Sequence, residues 1–141
     1  MENSDVKPVA LGTFVLLLLL CGLAWPALTQ SAWARDELVT SARTPGGETV
    51  PYVLTSKPGA PAYAVILMPG GSGVMNPRME GSKLVFGFGG NFLIRSRELF
   101  ADGRFVAAST DATSTPDRIR AIAQDLQHRY AGVKIYVIGT S

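Results

Sequence analysis

The apolar run Val133-Lys134-Ile135-Tyr136-Val137-Ile138 leads directly into Gly139-Thr140-Ser141, the first three positions of a Gly-x-Ser-x-Gly pattern. In that pattern a tight strand-to-helix turn holds a serine on a strained backbone. Small neighbours avoid clashes there, and the following helix N-terminus favours a developing oxyanion. Ser141 is therefore the candidate nucleophile, although Gly-x-Ser by itself also describes a plain turn. A second element lies upstream. Pro69-Gly70-Gly71-Ser72-Gly73 follows another apolar run, and glycines let the main chain bring N–H groups close to a point where negative charge develops. Gly70, Gly71 and Ser72 are the candidate oxyanion and substrate loop.

A glycine-rich turn after a strand can also cradle a phosphate, so those motifs bear testing. Gly81-Ser82-Lys83 lacks the Gly-Lys-Ser/Thr order, and Gly87-Phe88-Gly89-Gly90-Asn91-Phe92 carries Phe92 where a dinucleotide fingerprint has its last glycine. No cofactor is called for. Cys21 is the only cysteine and sits in the apolar N-terminal stretch, so an internal disulfide or a thiolate metal cluster is excluded and no metal is expected. Thirteen basic against eleven acidic residues give a net charge of +2. They are interspersed, with no basic run to follow a phosphate backbone, which argues against nucleic acid as a partner.

These residues must be positioned by a framework, and its outline is readable. Leu38 to Arg43 and Thr49 to Ser56 alternate as half-buried strands around Pro45-Gly46-Gly47, a hairpin signal. Tyr63 to Met68 is apolar throughout, as in a parallel strand covered on both faces. Lys83 to Phe88 reads as a short extended piece within a long glycine-rich loop. Asn91 is placed to cap a helix from Phe92 to Ala101, with Phe92, Ser96, Leu99 and Phe100 on one face and Gly103 as its stop. Phe105 to Ser109 is a buried strand. Thr115-Pro116-Asp117 opens a helix carrying Ile119, Ile122, Ala123, Leu126 and Tyr130 at helical spacing, ended by Gly132. Val133 to Ile138 is the last strand. A hairpin followed by β-α-β-α-β predicts an α/β fold with a parallel sheet.

The N-terminus is of another kind. Residues 8–28 are almost uncharged and centre on Leu16 to Leu20, and Ala32 and Ala34 form a small-x-small cleavage pattern. Residues 1–34 read as a signal peptide, with an uncleaved membrane anchor as the open alternative, since about 20 apolar residues can span a bilayer. The expected location is accordingly periplasmic or extracellular, and contact with a membrane is expected only through residues 8–28 if they are retained. Residues 35–141 form the folding segment.

The strand order, the Gly70-Gly71 loop and the Gly139-Thr140-Ser141 end together resemble the N-terminal half of the α/β-hydrolase superfamily, from about Leu38 to Ser141 and cut off inside the nucleophile turn. The stretch Gly90-Asn91-Phe92-Leu93-Ile94-Arg95-Ser96-Arg97-Glu98-Leu99-Phe100-Ala101 also looks like the first helix region of small exported bacterial hydrolases. The resemblance implies a serine hydrolase of a small-molecule ester or acyl substrate. Ser141 would attack, and its following residue together with Gly71 or Ser72 would donate to the oxyanion. Pro69 departs from the pattern, because many members carry histidine before the paired glycines.

By the same resemblance the triad acid and histidine come after Ser141. His128 lies on the helix before the nucleophile strand and reads as a solvated helix residue. Asp111 follows a strand end near the presumed pocket and reads as a loop hydrogen-bonding group. Arg95 and Arg97 read as surface partners of nearby acids. Two readings stand at this point: a serine hydrolase whose residues up to Ser141 lack base and acid, or a non-catalytic secreted or membrane-tethered α/β module, including a degenerate gene product.

Overall fold

A computed structural model describes residues 36–70, 74–87, 89–111 and 115–140. The apolar N-terminal stretch with Cys21, the residues Gly71, Ser72 and Gly73, and Ser141 lie outside the described residues.

The chain folds in the α/β class. β1 (Asp36–Arg43) and β2 (Thr49–Ser56) form the expected hairpin, in register from Arg43 opposite Thr49 to Asp36 opposite Ser56. Its turn is closed by the Gly47 N–H donating to the Thr44 carbonyl at 2.9 Å. The Glu48 N–H donates to Thr44 Oγ1 at 3.1 Å. Gly47 has φ +86°, a backbone that side chains with a Cβ rarely adopt.

β3 (Tyr63–Met68) is followed by a short antiparallel pair, β4 (Arg78–Glu80) and β5 (Lys83–Val85), and later by β6 (Phe105–Ser109) and β7 (Lys134–Gly139). The main sheet has five strands in the order β1-β2-β6-β3-β7. β3 is parallel to both β6 and β7, whereas β2 joins β6 antiparallel, so the sheet is mixed.

Strand alternation divides the core between the two faces of this sheet. On one face Tyr52, Leu54, Ala64, Ile66, Val106 and Ala108 pack under α2 (Pro116–Arg129), whose Ala121, Ile122 and Leu126 are buried. Each fully buried Ile or Leu there is worth about 1.5–3 kcal/mol. Ile119, Ala123 and Tyr130 of the predicted stripe pack at its margin. The helix starts as the sequence indicated, with Thr115 Oγ1 accepting the Arg118 N–H at 3.4 Å and Pro116 in the first turn.

On the other face Val65, Leu67 and Ala107 pack under α1 (Phe92–Ser96) and Ala101. Here the expected helix from Phe92 to Ala101 is corrected. α1 has five residues, and Arg97–Phe100 tighten into a 3₁₀ turn before Ala101 becomes extended. The break falls at Arg97, whose backbone N–H and guanidinium both donate to the Ile94 carbonyl, the latter at 2.8 Å. The same guanidinium is held by Glu37 of β1 at 2.6 Å and lies 5.0 Å from the Phe86 ring centroid. These contacts draw the turn toward the sheet and shift the buried face. Leu93 and Ile94 point inward, while Phe92 is 61% and Leu99 85% exposed. Ser96 is buried as expected, and the Asn91 cap holds, with Oδ1 accepting the Leu93 N–H at 2.8 Å.

β7 lies at one margin of the sheet, where Tyr136 and Val137 are each 51% exposed. Among the described residues no helix is long and apolar enough to cross a membrane.

Candidate functional site

The chain leaves β3 toward β6 on one flank and returns by α2 to β7 on the other flank of β3. The strand order reverses at this point, and in open α/β sheets such reversals open the crevice where ligands bind, outside the strands' carboxyl ends. The two glycine-containing motifs leave the sheet there. Met68 is in register with Gly139, so Pro69-Gly70 and Thr140 emerge side by side. The Thr140 N–H donates to the Met68 carbonyl at 3.2 Å, extending the ladder by one rung. The Gly70 N–H donates to Thr140 Oγ1 at 2.8 Å.

Of the predicted site residues, Gly70 is thus brought to the end of β7, and its N–H is engaged by the Thr140 hydroxyl. Gly70 therefore anchors the loop in this arrangement. Gly71, Ser72 and Ser141 directly follow Gly70 and Thr140 in the chain and lie outside the described residues.

The far end of the loop after β3 is fixed as well. Met75 is fully buried, its N–H donates to Asp111 Oδ1 at 2.9 Å, and its carbonyl accepts from the Gly87 N–H at 2.8 Å. Asn76 follows with φ +39°, the left-handed backbone that asparagine tolerates. Asp111 sits just past the carboxyl end of β6, where the Thr110 N–H donates to the Leu67 carbonyl at 3.0 Å. Asp111 is itself buried, and its Oδ2 lies 3.5 Å from Arg118 Nη2 in the first turn of α2. Arg118 Nε reaches toward Glu48 of the β1–β2 turn at 3.4 Å. Asp111 therefore has the loop-holding role its position suggested, and Arg118, to which the sequence gave no clue, supports it.

His128 is exposed near the end of α2. That helix starts after the carboxyl end of β6 and delivers the chain to the amino end of β7, so His128 lies at the opposite edge of the sheet from Thr140. Arg97 does not meet solvent ligands, being committed to Glu37.

The groups whose ionisation is displaced are elsewhere. Burial, then the hydrogen bond and charge of Asp125, push the Tyr52 phenol well above its ordinary range, and burial raises Tyr130. Backbone N–H groups of Arg104 and Phe105 lower Asp102. Among the described residues no group of three His, Cys, Asp or Glu side chains could hold a metal ion. A largely apolar cavity of about 560 Å³ lies on the α1 face beside β7, lined by Tyr63, Val65, Phe100, Phe105 and Tyr136. Its lining extends from Tyr63 and Phe105, which begin their strands, to Ile138 near the end of β7.

No protein-family model matches the chain, and no curated protein matches it.

Proposed function

We propose that this chain is the N-terminal half of an exported serine hydrolase of the α/β-hydrolase type, acting on a small-molecule ester or acyl substrate. The observation that carries the reading is the hydrogen bond from Gly70 to Thr140. It brings the glycine-rich loop after β3 against the residue preceding Ser141, at the point where the sheet's strand order reverses. A serine that attacks a carbonyl needs backbone donors on the far side of the tetrahedral carbon. Loops leaving two adjacent parallel strands are suited to supply nucleophile and donors together. In this reading Ser141 attacks, the N–H groups of Gly71 or Ser72 and of the residue after Ser141 take up the oxyanion, and water releases the acyl group.

The reaction also needs a base and an acid. His128 is at the wrong edge, and Asp111 is engaged with Met75 and Arg118, so both groups would be supplied by sequence following Ser141. Residues 1–34 would direct export or remain as an anchor.

The second reading is a non-catalytic ligand-binding module, in which the crevice at the carboxyl ends of β3 and β7 takes a ligand without chemistry. A fluorophosphonate probe applied to the full gene product separates them. Covalent labelling that maps to Ser141 and disappears in Ser141→Ala is the result expected of the hydrolase. An intact, folded product that takes up no probe leaves the binding module.

A further inference from the structure

α1 and Ala101 cover Val65, Leu67 and Ala107 but leave Tyr63, Phe105 and Tyr136 of the same sheet face partly exposed. Residues in register on neighbouring strands share a face, so Tyr63 stands in one row with Phe105 of β6 and Lys134 of β7. Val65 and Tyr136 follow in the next row. The Tyr63 and Phe105 rings stack at 4.7 Å between centroids, and the Tyr136 ring is tilted to Tyr63 at 6.2 Å. The Arg104 guanidinium lies 5.5 Å from the Tyr63 centroid. Tyr63, Phe105, Tyr136 and Arg104 all line the apolar cavity of about 560 Å³ beside β7. We propose that this cavity binds a small apolar carboxylate, an aryl or short acyl acid, whose body rests on the aromatic rings and whose charged head meets Arg104 and Lys134.

The volume falls within the range of small-molecule sites, about 300–1,000 Å³. Three aromatic side chains on one wall offer stacking and edge contacts to a flat or flexible apolar body. The choice of head group follows from charge. Arg104 and Lys134 flank Tyr63 on its β6 and β7 sides, and among the described residues neither makes an ion pair. Asp102 is nearby, but its Oδ1 accepts the N–H groups of Arg104 and Phe105 at 2.7 and 2.8 Å, so it closes the turn before β6. A cationic guest would be repelled here. A wholly apolar guest would strip water from the two cations and give nothing back. A carboxylate replaces that water with charge-assisted hydrogen bonds, for which the planar guanidinium is well shaped. The Tyr63 and Tyr136 hydroxyls also have no hydrogen-bond partner among the described residues, and an apolar ring with a polar tip suits an amphipathic guest. None of these residues takes part in the proposed chemistry at Ser141, so the site stands apart from the hydrolase reading.

Two probes of one shape test the site: 2-naphthoate, with two fused rings and one carboxylate, and its neutral counterpart 2-naphthamide. Calorimetric titration of the full gene product is expected to show saturable binding of 2-naphthoate at one site, with the amide weaker by about fivefold or more. Rising salt should weaken the naphthoate and leave the amide unchanged. Arg104 and Lys134 are exposed, so Arg104→Met with Lys134→Met should leave thermal unfolding near that of the parent. That double variant is expected to bind naphthoate only as well as it binds the amide. Tyr136→Ala should weaken both probes together.

A double variant that holds naphthoate as tightly as the parent would overturn the assignment of the head group. A folded parent chain that binds neither probe would overturn the site itself. If that chain then sedimented as a dimer that Tyr136→Asp dissociates, the aromatic face would belong to a second copy and not to a ligand.

Discussion

Gly70 and Thr140, seventy residues apart, share a hydrogen bond of 2.8 Å in which the glycine N–H donates to the threonine hydroxyl. It ties together the first residues beyond two adjacent parallel strands. Thr140→Val keeps the shape of the side chain and removes the acceptor. Because the contact is exposed, the expected loss of folding stability is only about 0.5–1 kcal/mol, and Thr140→Ser should match the parent. Urea unfolding of the three proteins checks this, and a valine variant as stable as the parent would show that water replaces the contact at no cost.

Tyr52 donates its phenol O–H to Asp125 of α2, which also accepts from Arg129 Nε at 2.8 Å, and Arg129 reaches on to Thr40 Oγ1 at 2.9 Å. Since folding raises the Tyr52 pKa, the stability this phenol contributes is fully present below its unfolded value near 10 and is lost as pH rises above it. Unfolding measured from pH 8 to 11.5 should therefore show falling stability above about pH 10. Tyr52→Phe should flatten part of that slope and cost about 1.5–3 kcal/mol at neutral pH. A slope identical in the two proteins would assign the alkaline loss to other groups, Tyr130 first among them.

Gly59 packs its Cα against the turn before β6. A Cβ placed on it would stand 2.3 Å from the Gly103 carbonyl oxygen and 2.6 Å from the Gly103 Cα. Both neighbours are backbone, so neither can swing aside. Gly59→Ala is expected to destabilise by about 3 kcal/mol or more. Gly47→Ala, where no atom lies within 4 Å and only the positive φ is strained, should cost about 1–2 kcal/mol. Thermal unfolding of both variants tests the order, and equal losses would mean that the 59–103 contact relaxes.

Two hydroxyls, on Thr55 and Ser109, are fully buried in the sheet and have no hydrogen-bond partner among the described residues. A polar group desolvated without a partner opposes folding. Thr55→Val replaces the hydroxyl with a methyl of similar size and is expected to stabilise by about 1 kcal/mol. Destabilisation would instead point to a buried water bonded at that oxygen.

The strands of the main sheet and α2 were legible because they are long enough for their patterns to repeat. α2 has fourteen residues, a threonine cap and a proline start, and its buried stripe emerged nearly as spaced. α1 was misjudged because five residues give little more than one turn, and the deciding contact, Arg97 with Glu37, crosses 60 positions of sequence. The β4 strand was missed for a related reason. Its three residues, Arg78, Met79 and Glu80, are all exposed, so no burial pattern is written into them. At the candidate site the glycines announced a loop and Asp111 announced a hydrogen-bonding group. The partners of those groups, the Thr140 hydroxyl and the Met75 N–H, were not legible, since a backbone amide carries no residue identity and strand order decides which ends meet.

The two margins of the sheet differ in a way that has consequences for assembly. β1 carries Asp36, Glu37, Ser41 and Arg43 along its length, the charged and polar residues that discourage edge pairing. β7 offers Ile135, Tyr136, Val137 and Ile138 with Lys134 alone as a charge. Growth of this sheet is therefore directional: an additional strand, from whatever source, is repelled at one border and welcomed at the other.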